Sequence, residues 1–170
     1  MTSLQNQRTK KIIFMGFQEL LLQKQFSKMT INDIADKSMI HRSTFYIHFN
    51  DKYDLLEQFL KDKSSTSHLQ VAEIYQHPYT TFANIGNEQL LPIFKYQTHD
   101  QEFRNTLFQF IMNFIMDAPS EKTELEKYFF IGRFKAINMW VEQTHQPYDA
   151  FVDYQQLDKI FKKGKVEQKK

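Results

Sequence analysis

Apolar residues recur at helical spacing along most of the chain, and this pattern predicts an all-α protein. A first helix is predicted over about residues 7–25, with an inward stripe of Ile13, Phe17, Leu20 and Leu21. Residues 1–77 contain one glycine, Gly16, and no proline, as expected for helices joined by short turns.

The second half is divided by all four prolines, at positions 78, 92, 119 and 147. Further helices are predicted over about residues 51–75, 87–98, 100–116, 121–144 and 148–161, with a loop over 76–86. The fold class expected is a three-helix head followed by a helical bundle. The domain boundaries expected are 1–52 for the head, 53–161 for the bundle and 162–170 for a basic, disordered tail.

A helix-turn-helix is predicted within the head. Thr30 and Asp33 have the spacing of a capping box, which starts a short helix over 31–37. A tight connection through residue 40 follows, and a second cap at His41 starts the next helix. Ile40 and Phe45 then occupy the two positions of a hydrophobic staple. Two short helices joined by a tight turn result.

The second of these helices has one apolar and one unusual outer face. At about 100° per residue, Phe45 and Phe49 share the inner face, while Ser43, Thr44 and Ile47 point outward. Small hydroxyls and an isoleucine suit a DNA groove better than water. The hydroxyls can bond base edges, Ile47 can meet a thymine methyl, and Arg42 can reach a guanine or a phosphate.

Phosphate contacts are expected beside this face. Tyr46 and His48 flank it, and the next helix begins near residues 50–52, where free amides and the Lys52 ammonium would form an anion site. Ordinary alternatives stay open: Tyr46 as a core aromatic, His48 as a capping or core side chain, and Lys52 as plain surface charge. Ser43 and Thr44 also suit the start of any helix.

The motifs of residues 30–35, 42–49 and 52–56 together resemble the N-terminal signature of TetR regulators. The resemblance implies phosphate contacts for Thr30, Tyr46, His48 and Lys52. It implies base contacts for Arg42, Ser43, Thr44 and Ile47. Asn32 and His41 complete the DNA-binding set that we predict.

Two residues depart from the TetR pattern at the turn. Met39 stands where the family usually has glycine, and His41 stands where a serine or asparagine cap is usual. A methionine there must adopt a left-handed conformation at some cost or use another turn geometry.

The segment 128–141 is apolar on nearly all sides, which predicts burial almost all round. One face can pack on its own domain and the other on a second copy of the chain. The predicted dimer interface comprises Phe129, Gly132, Arg133, Ala136, Met139 and Trp140. The resemblance implies that the last two helices form this interface, and a central helix of a monomeric core is the alternative.

An aromatic and methionine-rich helix precedes that segment and is a candidate lining for an apolar ligand pocket. Its residues are Phe103, Phe108, Phe110, Met112, Phe114 and Met116. Ordinary core packing is the alternative. The regulatory half is short for the family, so three alternatives stay open for the effector cavity: it is small, it is absent, or a protein partner replaces it. The candidate partners are a small apolar effector and another protein.

Charge and composition restrict the function further. Residues 1–52 carry 8 Lys and Arg against 4 Asp and Glu, a positive excess that suits a polyanion. The absence of cysteine excludes disulfides, thiolate metal sites and a cysteine nucleophile. The six histidines lack metalloprotease spacing, and no phosphate loop or serine elbow occurs. We therefore expect no enzyme, no cofactor and no metal.

No apolar run reaches the roughly 20 residues that span a bilayer, so no membrane partner and a cytoplasmic location are expected. The function predicted is sequence-specific binding of double-stranded operator DNA by a homodimeric regulator. Repression relieved by an effector at the C-terminal domain is expected. The alternative is a helical interaction protein of the same fold that has lost DNA binding or is controlled by a protein partner.

Overall fold

The computed structural model describes residues 3–65, 71–85, 90–150 and 152–166, and over these ranges the chain is all α-helical apart from turns and one 3₁₀ helix. The 3₁₀ helix is Phe26–Lys28. The α-helices are α1 (Ser3–Leu21), α2 (Ile31–Lys37), α3 (Arg42–His48), α4 (Lys52–Ser65), α5 (Val71–Gln76), α6 (Pro78–Ile85), α7 (Leu91–Gln97), α8 (Gln101–Asp117), α9 (Glu124–Gln143) and α10 (Tyr154–Lys163).

The helices form two compact units. The head unit comprises residues 1–66 and 92–110, and the second unit comprises residues 67–91 and 111–170. The head unit is therefore larger than the 1–52 segment predicted to bind DNA. Whether 1–52 and 53–161 divide the chain by function stays a prediction.

Aromatic side chains fill the core of the head unit. Phe17 packs edge-on against Phe26 and Phe59, and Phe45 lies 5.6 Å from Phe49 between ring centroids. All five of these side chains are buried. The inward face predicted for α3 is therefore a core face, because Phe45 and Phe49 anchor the helix from below.

Gly16 allows α1 to approach the end of α2 closely. A Cβ added at Gly16 would lie 2.5 Å from the Ser38 hydroxyl oxygen and 3.2 Å from the Ser38 backbone nitrogen. The Ser38 side chain is itself buried. The absent side chain at Gly16 is thus a packing requirement of the helix-turn-helix.

Side chains from the α7–α8 corner satisfy the backbone of the segment that links α1 to α2. The fully buried Gln97 accepts from the Phe26 N–H and donates to the carbonyls of Leu21 and Lys24. Asp100 accepts from both the N–H and the hydroxyl of Ser27. The connection contains the 3₁₀ helix. Residues more than 70 positions later in the sequence complete its backbone hydrogen bonds.

The second unit is built around aromatic contacts to α9. Tyr75 lies 4.9 Å from Phe130, and Tyr79 lies 4.9 Å from Phe134, between ring centroids. Asp158 of α10 is buried and accepts from the N–H groups of Tyr79 and Thr80. The carboxylate therefore caps the N-terminus of α6.

The loop predicted over 76–86 is wrong, because α6 occupies Pro78–Ile85. Proline suits the first helical position, where its missing N–H is not needed. The Asp158 carboxylate supplies the cap from a distant helix. A local signal was present as well, since the aromatic residues at 75, 79 and 82 have helical spacing and all contact α9.

Two predicted helix starts need correction. The helix expected from residue 121 begins at Glu124, because Thr123 and Glu126 form a capping box that the spacing could have revealed. The helix expected from residue 148 begins at Tyr154, after a turn in which the Asp149 carbonyl accepts from the N–H groups of residues 152 and 153.

Some other predicted helix boundaries lie at or near residues that the structure does not describe. Of the helix expected over 51–75, residues 52–65 are described as α4 and residues 71–75 belong to α5. Residues 66–70 between them lie outside the described residues, as do residues 86–89 and 151. Of the tail expected to be disordered, Lys162 and Lys163 belong to α10, while residues 167–170 lie outside the described residues.

Candidate nucleic-acid interface

Thr30 starts α2 through the capping box that its spacing predicts. Its hydroxyl oxygen accepts from the Asp33 N–H, and the Asp33 carboxylate accepts from the Thr30 N–H and hydroxyl. Lys24 also donates to this carboxylate at 2.7 Å. The hydrogen bond from Lys24, followed by those from Thr30, lowers the pKa of Asp33 to about 2. Thr30 stays exposed at the surface beside α3.

The turn between α2 and α3 keeps a left-handed residue without a glycine. Met39 has a φ of 52° and its side chain is 90% exposed. An L-residue adopts this conformation at a cost, because its Cβ lies close to the following carbonyl oxygen. The exposed side chain adds no clash with the core. Of the two geometries open to the methionine, the protein uses the left-handed one.

His41 provides the backbone geometry of a helix cap without the side-chain bond. Its φ and ψ are extended, as at an N-cap, but its side chain makes no capping hydrogen bond. The carbonyl of His41 accepts from the N–H groups of Thr44 and Phe45. The exposed imidazole is thus not used in starting α3.

The outer face of α3 presents the side chains that the helical periodicity places there. Ile47 is 59% exposed and Tyr46 is 48% exposed. Arg42 and Ser43 are exposed, and Thr44 is half-buried. Phe45, on the opposite side, is fully buried. A large exposed apolar residue beside hydroxyls and a guanidinium is the chemistry that a major groove accepts.

Arg42 lies across this face in contact with two other residues. Its Nη1 donates to the Asn32 Oδ1 at 3.4 Å, and its Nη2 donates to the Tyr46 hydroxyl at 3.2 Å. Its guanidinium carbon is 5.6 Å from the centroid of the Tyr46 ring. Asn32 of α2 is exposed, so these contacts join the outer faces of both helices.

His48 is half-buried, and its Nε2 is buried without a hydrogen-bond partner. Burial lowers the pKa of its imidazole, and the nearby charge of Lys10 lowers it further. The ring is therefore neutral at pH 7, and it offers a phosphate a neutral N–H at most.

Lys52 differs most from its prediction, because its ammonium is already engaged. Its Nζ donates to the carbonyl of Phe26 at 3.0 Å and pairs with the Glu102 carboxylate at 2.9 Å. Only 14% of its side chain is exposed. Lys52 thus bonds the carbonyl of residue 26, whose N–H Gln97 satisfies.

The anion site expected at the start of α4 is also filled from within the chain. The Asp51 carboxylate accepts from the N–H groups of Tyr53 and Asp54, and the Asp54 carboxylate accepts from the Asn50 N–H. Two carboxylates at this helix end oppose a phosphate there. Lys28, an exposed cation two residues before Thr30, is a better phosphate candidate that the motif did not single out.

A second exposed surface lies on α9. Leu125, Phe129, Gly132, Ala136 and Met139 recur at intervals of three or four residues and share one exposed face, which we call the α9 stripe. Phe129 is 70% exposed and Leu125 is 63% exposed. Nothing lies within 4 Å of a Cβ added at Gly132, so the middle of the stripe is open.

Two residues of the predicted dimer interface lie off this stripe. Arg133 donates to the Phe161 carbonyl and stacks over the Phe161 ring, within its own unit. Trp140 is half-buried and packs on Tyr148 at 5.8 Å. The remaining four predicted residues, Phe129, Gly132, Ala136 and Met139, are brought together.

The six residues predicted to line an apolar pocket all lie on α8, and they divide between the two units. Phe103 is buried in the head unit against Phe26 and Phe94, and the other five are half-buried. Residues 103, 108 and 110 belong to the head unit, and residues 112, 114 and 116 to the second unit. A groove of about 530 Å³ in the head unit is polar instead, lined by Asn50, Asp51, Tyr53, Asp54, Glu57, Asn105, Thr106 and Gln109.

The capped α2, the left-handed turn and the anchored α3 with its exposed outer face form a helix-turn-helix. Residues 18–59 match the model of the family described as bacterial regulatory proteins, tetR family. This part of the chain is thus similar to a family of bacterial regulatory proteins.

One curated relative and two solved structures are similar to this chain. The HTH-type transcriptional regulator YxbF of Bacillus subtilis (strain 168) is 35% identical over 82 residues, which are 48% of this chain and 19% of that protein. This chain thus matches about a fifth of that relative's length.

Two crystal structures of NalD, the secondary repressor of the MexAB-OprM multidrug efflux pump in Pseudomonas aeruginosa, align over most of the chain. The first is 16% identical with a TM-score of 0.48, covering 96% of this chain and 98% of NalD. The second is 17% identical with a TM-score of 0.47, covering 95% and 98%. Within the described residues, no helix is long and apolar enough to cross a membrane.

Proposed function

We propose that the protein is a sequence-specific DNA-binding transcriptional regulator that recognises operator DNA through α3. The observation that carries this proposal is the outer face of α3, where Arg42, Ser43 and Ile47 are exposed while Phe45 is fully buried beneath them. The same residues fall inside the segment that matches the TetR family. In a helix-turn-helix, the second helix enters the major groove and its outer side chains contact base edges.

The proposed contacts divide by chemistry. Arg42, Ser43, Thr44 and Ile47 contact bases, and Thr30, Tyr46 and Lys28 contact phosphates. Asn32, His41 and the neutral His48 border the face. We assign Lys52 an indirect role, because its bonds to the Phe26 carbonyl and to Glu102 stabilise the segment that precedes α2. The left-handed φ of Met39 keeps the turn between α2 and α3 although glycine is absent there, so this departure does not count against a DNA-binding helix-turn-helix.

Binding of purified protein to a labelled duplex from the region upstream of its own gene tests the proposal. We expect affinity to fall steeply with salt, because each phosphate contact releases counterions. Ile47→Glu places a carboxylate on the α3 face and is expected to abolish binding. Val152→Glu is the matched control, because Val152 is an exposed apolar residue of the second unit. Salt-independent or absent wild-type binding would support the interaction protein instead.

We further propose that the protein acts as a homodimer joined through the α9 stripe. A face of Leu125, Phe129 and Met139 around open, small residues favours contact with a copy of itself, because small residues allow two helices to approach closely. Two heads are what a pair of half-sites about 34 Å apart requires. A solution mass of one chain at micromolar concentration would refute the dimer.

Repression relieved by a small apolar effector completes the proposal, with action in the cytoplasm. Its support is three half-buried side chains on the part of α8 that belongs to the second unit, Met112, Phe114 and Met116. Thermal-shift measurements with apolar compounds, followed by operator release, test it. A compound that stabilises the protein but leaves DNA binding unchanged would count against effector control.

A further inference from the structure

Arg42 is the one guanidinium on the outer face of α3, and it is held there before any DNA arrives. Its two terminal nitrogens donate to residues on different helices, Nη1 to Asn32 of α2 and Nη2 to Tyr46 of α3. The Tyr46 ring also lies under the guanidinium, 5.6 Å from its carbon. All three side chains are exposed, so these contacts direct the arginine without burying it.

An exposed arginine normally samples many rotamers, and fixing it in one of them costs side-chain entropy. Contacts made in the free protein reduce the part of this cost that falls on binding. They also limit the directions in which the guanidinium can donate. A side chain oriented in this way favours a geometrically demanding acceptor over a phosphate, which any mobile cation can reach.

The donors that remain suit guanine. Arginine has five N–H groups, and the bonds to Asn32 and Tyr46 use one on each terminal nitrogen. Two of the three left over are enough for the paired bond to O6 and N7 of guanine, which adenine cannot accept at its amino group. The Tyr46 hydroxyl, while accepting from Arg42, keeps its own proton for a phosphate oxygen.

We propose that Arg42 is the specificity-determining side chain of the α3 face, that it selects a guanine in each half-site, and that Asn32 and Tyr46 are the residues that position it. This inference rests on the proposed function. Asn32 thereby affects base recognition without contacting a base. Tyr46 both positions Arg42 and donates to a phosphate.

Selection from a library of duplexes with a random 24-bp core, followed by affinity measurements, tests the inference. Each G·C pair of the selected sequence is replaced in turn by A·T. For the wild-type protein, we expect one pair per half-site at which the replacement weakens binding about 10-fold or more. For Arg42→Ala, we expect the same replacement to change affinity less than twofold.

The positioning residues are tested by the same ratio of affinities. Asn32→Ala and Tyr46→Phe are expected to reduce the guanine preference to about threefold, the latter with the ring retained. Asn32→Asp keeps an acceptor for Arg42, so it should restore the preference even if its charge weakens binding to all duplexes. Thermal unfolding of each variant checks that the fold is unchanged.

The outcomes separate the two proposals. If Arg42→Ala weakens binding equally on every duplex and keeps the guanine preference, Arg42 contacts a phosphate and this inference fails while DNA binding stands. If Asn32→Ala and Tyr46→Phe keep the full preference, the positioning roles fail. If the wild-type protein enriches no sequence, the proposed function fails.

Discussion

The head unit and the second unit are both helical, but each leaves a different kind of surface exposed. The head unit exposes the outer face of α3, which mixes a guanidinium, hydroxyls and Ile47. The second unit exposes the α9 stripe, which is apolar and has small residues at its centre. A polar, sparsely apolar face suits a hydrated groove, whereas an apolar stripe suits a surface of its own kind.

In both units, side chains hydrogen-bond to backbone groups that lie far away in the sequence. In the head unit, Gln97, Asp100 and Lys52 satisfy the backbone of residues 21–27. Burial alone would raise the pKa of Asp100, but hydrogen bonds from Phe103 and Ser27 outweigh it and lower the pKa. In the second unit, the single carboxylate of Asp158 caps α6. In both units a polar side chain from a distant part of the chain thus completes the backbone bonds of a connection or a helix start.

The largest effect is expected from a charge in the α9 stripe. Phe129 is the most exposed large apolar residue of the stripe. Phe129→Asp places a carboxylate there, and a second copy would have to remove water from this charge in order to bind. We expect the solution mass to fall from two chains to one, with DNA affinity reduced at least 100-fold. Gln76→Asp, at an exposed polar position of α5, is the control and should change neither quantity. An unchanged dimer would contradict the assignment of the stripe.

Loss of Gln97 should destabilise the protein next most. Gln97→Ala removes one acceptor and two donors from buried backbone groups, so we expect the free energy of unfolding to fall by about 3 kcal/mol. Asp158→Ala removes two acceptor contacts in the second unit, and about 2 kcal/mol is expected. Urea unfolding measures both. Tyr96→Phe, which loses one exposed bond to the Gln23 carbonyl, is the control. Small and equal decreases in the free energy of unfolding for Gln97→Ala and Asp158→Ala would contradict the expected difference between the two units.

The close contact at Gly16 gives a smaller effect. Gly16→Ala forces the new methyl against the Ser38 hydroxyl and backbone, and we expect about 1–2 kcal/mol of destabilisation. The double variant Gly16→Ala with Ser38→Ala removes the hydroxyl and should recover part of the loss. A double-mutant cycle from thermal unfolding measures this coupling. Purely additive losses would show that the contact is not the cause.

The smallest effect is a pH dependence at Asp33. Its pKa is about 2 in the folded protein, against about 4 in an unfolded chain. A lowered folded-state pKa adds stability above about pH 4, and this contribution is lost as the pH falls toward 2. Asp33→Asn should therefore cost about 0.5–1 kcal/mol at pH 7 and nothing near pH 2. Asp36→Asn, exposed on the same helix, is the control, and a pH-independent loss at Asp33 would contradict the mechanism.

Local patterns predicted the motif accurately. The capping box at Thr30 and the inward pair Phe45 and Phe49 are encoded within a few residues, so α2 and α3 were placed almost to the residue. The left-handed φ of Met39 was one of two alternatives that the sequence allowed. Short-range stereochemistry is enough for these features.

Long-range partners were not predictable in the same way. Lys52 has the position of a phosphate ligand in the motif, but a carbonyl 26 residues earlier and the Glu102 carboxylate engage it. The cap of the missed helix α6, Asp158, also lies far along the chain, although the aromatic spacing at 75, 79 and 82 was a local sign of that helix. Arg133 was expected in the dimer interface, yet it bonds the Phe161 carbonyl. Each of these bonds joins residues that are far apart in the sequence. The spacing of residues within one helix carries no information about such a partner.

The bonds from Gln97 and Asp100 to residues 21–27 have a consequence for engineering hybrid regulators. A fragment ending at residue 52 would lack the side chains that complete the backbone before α2, since those lie in residues 92–110 of the same compact unit. A graft of the recognition motif onto another scaffold must therefore include the α7–α8 corner or supply equivalent groups. The transferable module is discontinuous in sequence.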